Sequence, residues 1–258
     1  MRVLITNDDG VYSPGLWSAV NALVDIGEVV VVAPDRDQSG VGLATTLLGV
    51  VRSQEIAPPV EGVTTYSVQG TPSDCVILAT ETLIERPFDL VVSGVNNGAN
   101  LGLDIMISGT VGGAMQGYLR DIPSVAVSVT SLNNARYEAA GQTIKALAQA
   151  MSQCLLSTAP LLNVNLPNIE PNAVERVQVT SLGPRAYTES VEQMSDGRRT
   201  HYWIRHNKPT NPKVSEGTDV WTVRNNGISI TPLDLVFADG GSPRAYDVLA
   251  DAVAVELK

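Results

Sequence analysis

The feature that most limits what this chain can fold into is a series of short, continuously apolar, β-branched runs. They are RVLIT (2–6), EVVVVAP (28–34), TTYSVQG (64–70), FDLVVSG (88–94) and PSVAVSV (123–129), with LLNVNLP (161–167) as a sixth. A strand with one wet face alternates apolar and polar residues. These runs do not alternate, so both faces must be covered. Helical stretches that can cover them lie between, at Gly15 to Val24, Pro72 to Glu85, Thr110 to Arg120 and Tyr137 to Leu156. Strand alternating with helix predicts an α/β fold: a doubly wound, mostly parallel, Rossmann-like sheet with right-handed crossovers.

After about residue 170 the texture changes. RVQVTSL, THYWIRH and DVWTVRNNGISITPL read as extended β segments joined by polar, Pro-rich connectors such as NKPTNPKVSEG. The expectation is a single domain over 1–258 with a β-rich appendage at about 175–235, before a final strand and a short helix near 241–254. Trp203, Tyr202 and Tyr187 are expected to pack inside that appendage or on another subunit.

Composition narrows the function. With 258 residues, 44% of them hydrophobic and 17% charged, the chain can bury a large core. A net charge of −10 without any basic run argues against a nucleic-acid polymer as partner, because such binding needs Lys and Arg to neutralise phosphates. A small phosphate ligand stays open, since a bound cation inverts the local field. Cys75 and Cys154 lie far apart in apolar helical contexts and read as small hydrophobes, neither a disulfide nor a nucleophile. Met1 runs straight into RVLIT, leaving no room for a signal-peptide core, and VVVVA is too short to span a membrane. The expected location is the cytoplasm, with no membrane partner.

In an open α/β sheet, ligands bind beyond the carboxyl ends of the strands. The first strand ends in Asn7-Asp8-Asp9-Gly10, the second in PDRDQSG with Asp35, Asp37, Gln38 and Ser39, and the run at 88–94 in SGVNNGAN with Ser93, Asn96, Asn97 and Asn100. These three polar clusters share one rim. NDDG alone also reads as a solvated turn. Ser108-Gly109-Thr110 opens a small-residue helix, where free N–H groups can cradle an anion and where Ser108 can equally be a plain cap. Thr71, Pro72 and Asp74 in GTPSDC form a capping-box pattern, read as structural. His201 and His206 are the only histidines. Both fall in the appendage, so neither a zinc site nor a Ser-His-Asp triad is supported. Two carboxylates, a hydroxyl and side-chain amides are oxygen donors suited to Mg²⁺ or Mn²⁺. Such a cation would offset the repulsion between Asp8 and Asp9.

Laid together, ITNDDG (5–10), APDRDQSG (33–40), GTPSDCV (70–76), SGVNNGANLG (93–102) and SGTVGGAMQG (108–117) resemble the SurE family (stationary-phase survival protein E). LNVNLP (162–167) and DVWTVRNNGISITPL add to the likeness, which runs in order over nearly the whole chain. The resemblance implies a metal-dependent phosphomonoesterase acting on nucleoside 5′- and 3′-monophosphates, with short polyphosphate as a further substrate. It places one Mg²⁺ or Mn²⁺ per subunit on Asp8, Asp9, Ser39 and Asn96, with Asp8 and Asp9 as catalytic residues. The phosphate would sit on Asn96, Ser108, Gly109 and Thr110. It also implies a homodimer or homotetramer in which subunits exchange C-terminal elements. Gln116 stands where the family often has an acid and Ile107 where an aromatic is common, both expected near the phosphate loop. The alternatives are a haloacid-dehalogenase-like phosphatase, which wants aspartates spaced DxD, and a non-catalytic nucleotide-binding module.

Overall fold

Every one of the six apolar runs becomes a strand. The computed structural model describes residues 1–131, 134–153, 159–185, 187–209 and 213–233. β1 (Arg2–Thr6), β2 (Glu28–Pro34), β4 (Thr64–Val68), β5 (Leu90–Asn97), β6 (Ser124–Thr130) and β7 (Leu161–Pro167) form the parallel centre of a nine-stranded sheet. Among the described residues its order is β3-β4-β2-β1-β5-β6-β7-β11-β8. The edges are β3 (Ser53–Glu55), antiparallel to β4, and β8 (Arg176–Val179), parallel to β11 (Gly227–Pro232); β11 itself runs antiparallel to β7. The strand β3 has no apolar signal in the sequence, being three exposed polar residues.

Helices cover both faces, which is why the strands are apolar throughout. On one side α1 (Pro14–Leu23) packs on α4 (Glu138–Ser152), and on the other α2 (Pro72–Leu78) packs on α3 (Gly109–Tyr118). Val3 and Ile5 of β1 enter the core beneath α1 and α4, whereas Leu4 between them enters the core beneath α2 with Cys75. Cys75 is buried and free, as expected of a small hydrophobe. Cys154 and the expected helix near 241–254 lie outside the described residues. The stretch expected as one helix from Pro72 to Glu85 is α-helical to Leu78 and continues as a wider π-type turn over Ala79–Leu83.

Two local expectations are corrected. DVWTVRNNGISITPL is not extended throughout: Asp219–Arg224 forms a short helix, α5, before β11. Thr218 caps it by accepting from Trp221 N, with Asp219 in the first turn and Arg224 in the last, so end signals prevail over β-branched composition. The strand expected to end at Gly94 continues to Asn97, with a register shift between Ser93 and Asn96. Within 175–235, β8 and β11 belong to the main sheet. Only β9 (Tyr187–Ser195) and β10 (Thr200–Pro209) form a separate two-stranded antiparallel ribbon.

Candidate active site

The turn after β1 is built by its own residues. Asn7 Nδ2 donates to Gly10 O at 3.1 Å and to Ser13 Oγ at 2.6 Å. Gly10 takes a φ of +97°, and a Cβ there would come within 3.2 Å of the Arg36 backbone, so the position requires glycine. The turn therefore does local work, and it also presents Asp8 and Asp9 at the strand end.

Asp8 is 4% exposed. Its Oδ1 accepts from Thr110 Oγ1 at 2.5 Å, and its backbone carbonyl accepts from Gln38 N at 2.7 Å. Gly109 lies directly against the side chain, where a Cβ would stand 2.9 Å from Asp8 Cβ and 3.0 Å from Oδ2. Burial raises the Asp8 pKa even though the Thr110 hydroxyl and N–H favour the anion. Asp9 is half-buried, and its Oδ2 accepts from Asn97 N at 3.2 Å. Burial first, and then the neighbouring Asp8 charge, push its pKa up to about 7. Among the described residues neither carboxylate forms an ion pair. Two adjacent acids with no basic partner are half of an electrostatic arrangement.

Neutral oxygen donors complete the rim. Ser39 is exposed, with its N–H and Oγ both donating to Asp37 Oδ1 at 2.8 and 2.6 Å. Asn96 Nδ2 donates to Gly98 O at 2.8 Å, so the side chain offers its carbonyl oxygen to a ligand. Ser108 Oγ accepts from Val111 N at 3.2 Å, capping α3. Asp8, Ser39, Asn96 and Ser108 line one cavity of about 320 Å³, within the size range of small-molecule sites. Asp9 adjoins it through Asn97. Gly109 and Thr110 stand behind Asp8, and the Thr110 N–H helps hold that carboxylate. The positive end of α3 is thus directed first at an anion of the chain itself.

The far wall of the cavity was not legible in the sequence. It includes Asp104, Thr130 and Ser131, brought there by segments whose local patterns are ordinary. Ile107, expected near the phosphate loop, lines the cavity beside Ser108. Gln116 does not line the cavity, because two further turns of α3 carry it down the helix, where its Oε1 accepts from Arg120 Nη1 at 2.9 Å. His201 is exposed on the ribbon, 3.2 Å from Asp196, and His206 is also on β10. Asp74 closes the capping box with Thr71 and also accepts from Thr46 N and Oγ1 at 2.8 and 2.7 Å. No group of three or more His, Cys, Asp or Glu among the described residues could hold a metal. A cation here would therefore rest on two carboxylates and neutral oxygens, a set that suits a hard ion keeping several waters.

The family model for survival protein SurE matches residues 3–189. A 5′-nucleotidase SurE of Dehalococcoides mccartyi (strain CBDB1) is 43% identical over 235 residues, covering 90% of this chain and 88% of that protein. A 5′-nucleotidase SurE of Geobacter metallireducens is 44% identical over 237 residues, covering 91% and 92%. The crystal structure of the SurE protein from Aquifex aeolicus superimposes with a TM-score of 0.80 at 36% identity, covering 99% of this chain and all of that one. The chain belongs to the SurE family.

Proposed function

We propose that this chain is a metal-dependent phosphomonoesterase that hydrolyses nucleoside 5′-monophosphates. On this reading it also takes 3′-monophosphates and the terminal phosphate of short polyphosphate. The observation that carries the reading is the pair Asp8 and Asp9: adjacent, buried and half-buried, without ion pairs among the described residues, with Asp8 lining a cavity that also holds oxygen donors and Asp9 adjoining it. The name 5′-nucleotidase borne by relatives at over 40% identity supports the nucleotide as substrate.

In this proposal Asp8, Asp9, Ser39 Oγ and Asn96 Oδ1 hold one Mg²⁺ or Mn²⁺, the carboxylates supplying a charge of −2 that matches a divalent ion. When bound, such a cation neutralises the phosphate, polarises the phosphoryl group and lowers the pKa of a coordinated water. Thr110 and the α3 N-terminus keep Asp8 in one orientation, and Asn97 N does the same for Asp9. Ser108 and Asn96 position the phosphate, and Gly109, having no side chain, leaves room for the Asp8 carboxylate against the start of α3. Positioning and charge stabilisation carry most of phosphoryl transfer, so no covalent nucleophile is needed. The burial of Asp8 and its bond to Thr110 speak against a phosphoaspartate of the haloacid-dehalogenase kind. The ribbon β9–β10 serves assembly into a homodimer or homotetramer.

The test is removal and return of the cation. Treatment with EDTA should reduce hydrolysis of a nucleoside 5′-monophosphate by about a hundredfold or more, since a Lewis acid contributes several kcal/mol. Mn²⁺ or Mg²⁺ should restore it. Undiminished hydrolysis in EDTA would overturn the metal assignment, and binding without hydrolysis under any cation would favour a non-catalytic module.

A further inference from the structure

The short 3-10 turn Gly102–Ile107 brings Asp104 and Ile107 to the cavity and leads directly into Ser108. Its position is set from outside the rim. Asp219, the first residue of α5, is fully buried, and its Oδ2 accepts from Gly102 N at 2.7 Å. Its Oδ1 accepts from Gly183 N and from its own neighbour Val220 N, each at 2.7 Å. A second tie runs through Arg185, whose Nε donates to Asp104 Oδ1 at 3.0 Å and whose Nη2 donates to Glu189 Oε1 of β9 at 2.7 Å.

The backbones so joined have no slack. Gly102 takes a φ of +55°, and a Cβ there would stand 2.2 Å from Pro184 O and 2.6 Å from Gly183 O. The turn and the 183–185 connector are therefore in close backbone contact and are joined through the one Asp219 carboxylate. Capping does not explain Asp219, because Thr218 already caps α5. Burying a carboxylate is costly unless its bonds do something a neutral residue could not. Here they join a cavity wall to the root of the ribbon.

We propose that Asp219 and Arg185 are positioning residues for the leaving-group side of the cavity. They hold the Gly102–Ile107 turn against the base of the β9–β10 ribbon, so that seating of the nucleoside depends on how the ribbon is held. Cation binding lies with Asp8 and Asp9 on other segments, and Ser108, though it follows the turn, is held by its own bond from Val111 N, so neither depends on it. The proposal rests on the nucleotidase reading of the site.

The experiment compares wild type, Arg185→Ala, Arg185→Lys and Asp219→Asn in the full chain. It measures kcat and KM for a nucleoside 5′-monophosphate and for p-nitrophenyl phosphate, which has no nucleoside, together with Mn²⁺ affinity by calorimetry. Arg185→Ala should raise KM for the nucleotide about five- to tenfold, the lower range of coupling between sites. The nucleotide kcat, the p-nitrophenyl phosphate KM and the Mn²⁺ Kd should stay within about twofold, a split expected of positioning alone. Arg185→Lys should recover part of the loss. Asp219→Asn should show the same split more strongly; should that variant not fold, the half-exposed Arg185 still decides the matter. An unchanged nucleotide KM in Arg185→Ala, or an equal loss with both esters, overturns the inference while leaving the nucleotidase reading intact. A wild type inactive on both esters overturns the nucleotidase reading and this inference with it.

Discussion

Asp8 and Asp9 are neighbours in sequence but are held differently. Asp8 accepts from Thr110 and faces the start of α3, whereas Asp9 meets one N–H, that of Asn97, and feels the charge of Asp8. Without a cation the Asp9 carboxyl titrates at about 7, well above its value of 3.8 in a solvated chain. A folded-state pKa above the unfolded one means that the folded state holds the proton more tightly. This group therefore stabilises the metal-free fold fully below pH 3.8, and the contribution is lost as pH rises toward 7. A cation that requires both carboxylates ionised competes with the same proton. Mn²⁺ affinity should accordingly rise at least roughly tenfold per pH unit between about 5 and 7, for release of the Asp9 proton, with any proton held by the buried Asp8 steepening the rise. Calorimetric titrations at several pH values check this, and a flat profile would show that Asp9 is not a ligand.

At the scale of elements, Asp74 shows how a local motif acquires a tertiary role. Thr71 and Asp74 form a reciprocal capping box at the start of α2, and the same carboxylate holds Thr46 by two bonds. Asp74→Ala should lower stability by about 1–3 kcal/mol, the cost of a lost cap plus unpaired donors. Urea unfolding should show this as a shifted midpoint with an unchanged slope. The box is legible in GTPSDC because its residues are within one turn of each other. The Thr46 bonds are not, since they join positions far apart in the chain. The same distinction runs through the site. Asp8, Ser39, Asn96 and Ser108 could be placed on one rim because each ends a recognisable strand or begins a helix. Thr110 behind Asp8, and Asp104 and Ser131 across the cavity, depend on how separate segments meet. The helix Asp219–Arg224 had its cap and end charges in the sequence, but six residues are too few for a helical period to outweigh β-branched composition.

For the whole molecule, the continuous apolar runs made the parallel centre legible, because only two-sided burial explains them. They did not reveal that β11 would enter antiparallel between β7 and β8, a pairing set by long-range contacts. The ribbon β9–β10 stands apart from this sheet, and a two-stranded ribbon cannot cover its own faces. Ile204 pairs with Val191 on one face and Trp203 with Glu192 on the other, with Tyr202, Trp203, Ile204, Val191 and Met194 all exposed. Apolar residues on both faces fit burial against other subunits. Trp203→Glu with Ile204→Glu should lower the sedimenting mass while leaving the circular dichroism of the main sheet unchanged. A wild-type chain that sediments as a monomer at micromolar concentration would contradict the assembly.

The insertion of β11 also sets an order of events during synthesis. β7 is buried along its whole length, and its outer partner begins only at Gly227, after β8 and the entire ribbon have been made. While the ribosome adds the residues between Pro167 and Gly227, β7 presents an open edge of unpaired backbone N–H and C=O groups able to pair with another strand. A product truncated within that interval should aggregate more readily than the full chain, because β7 then lacks the distal strand that closes its edge.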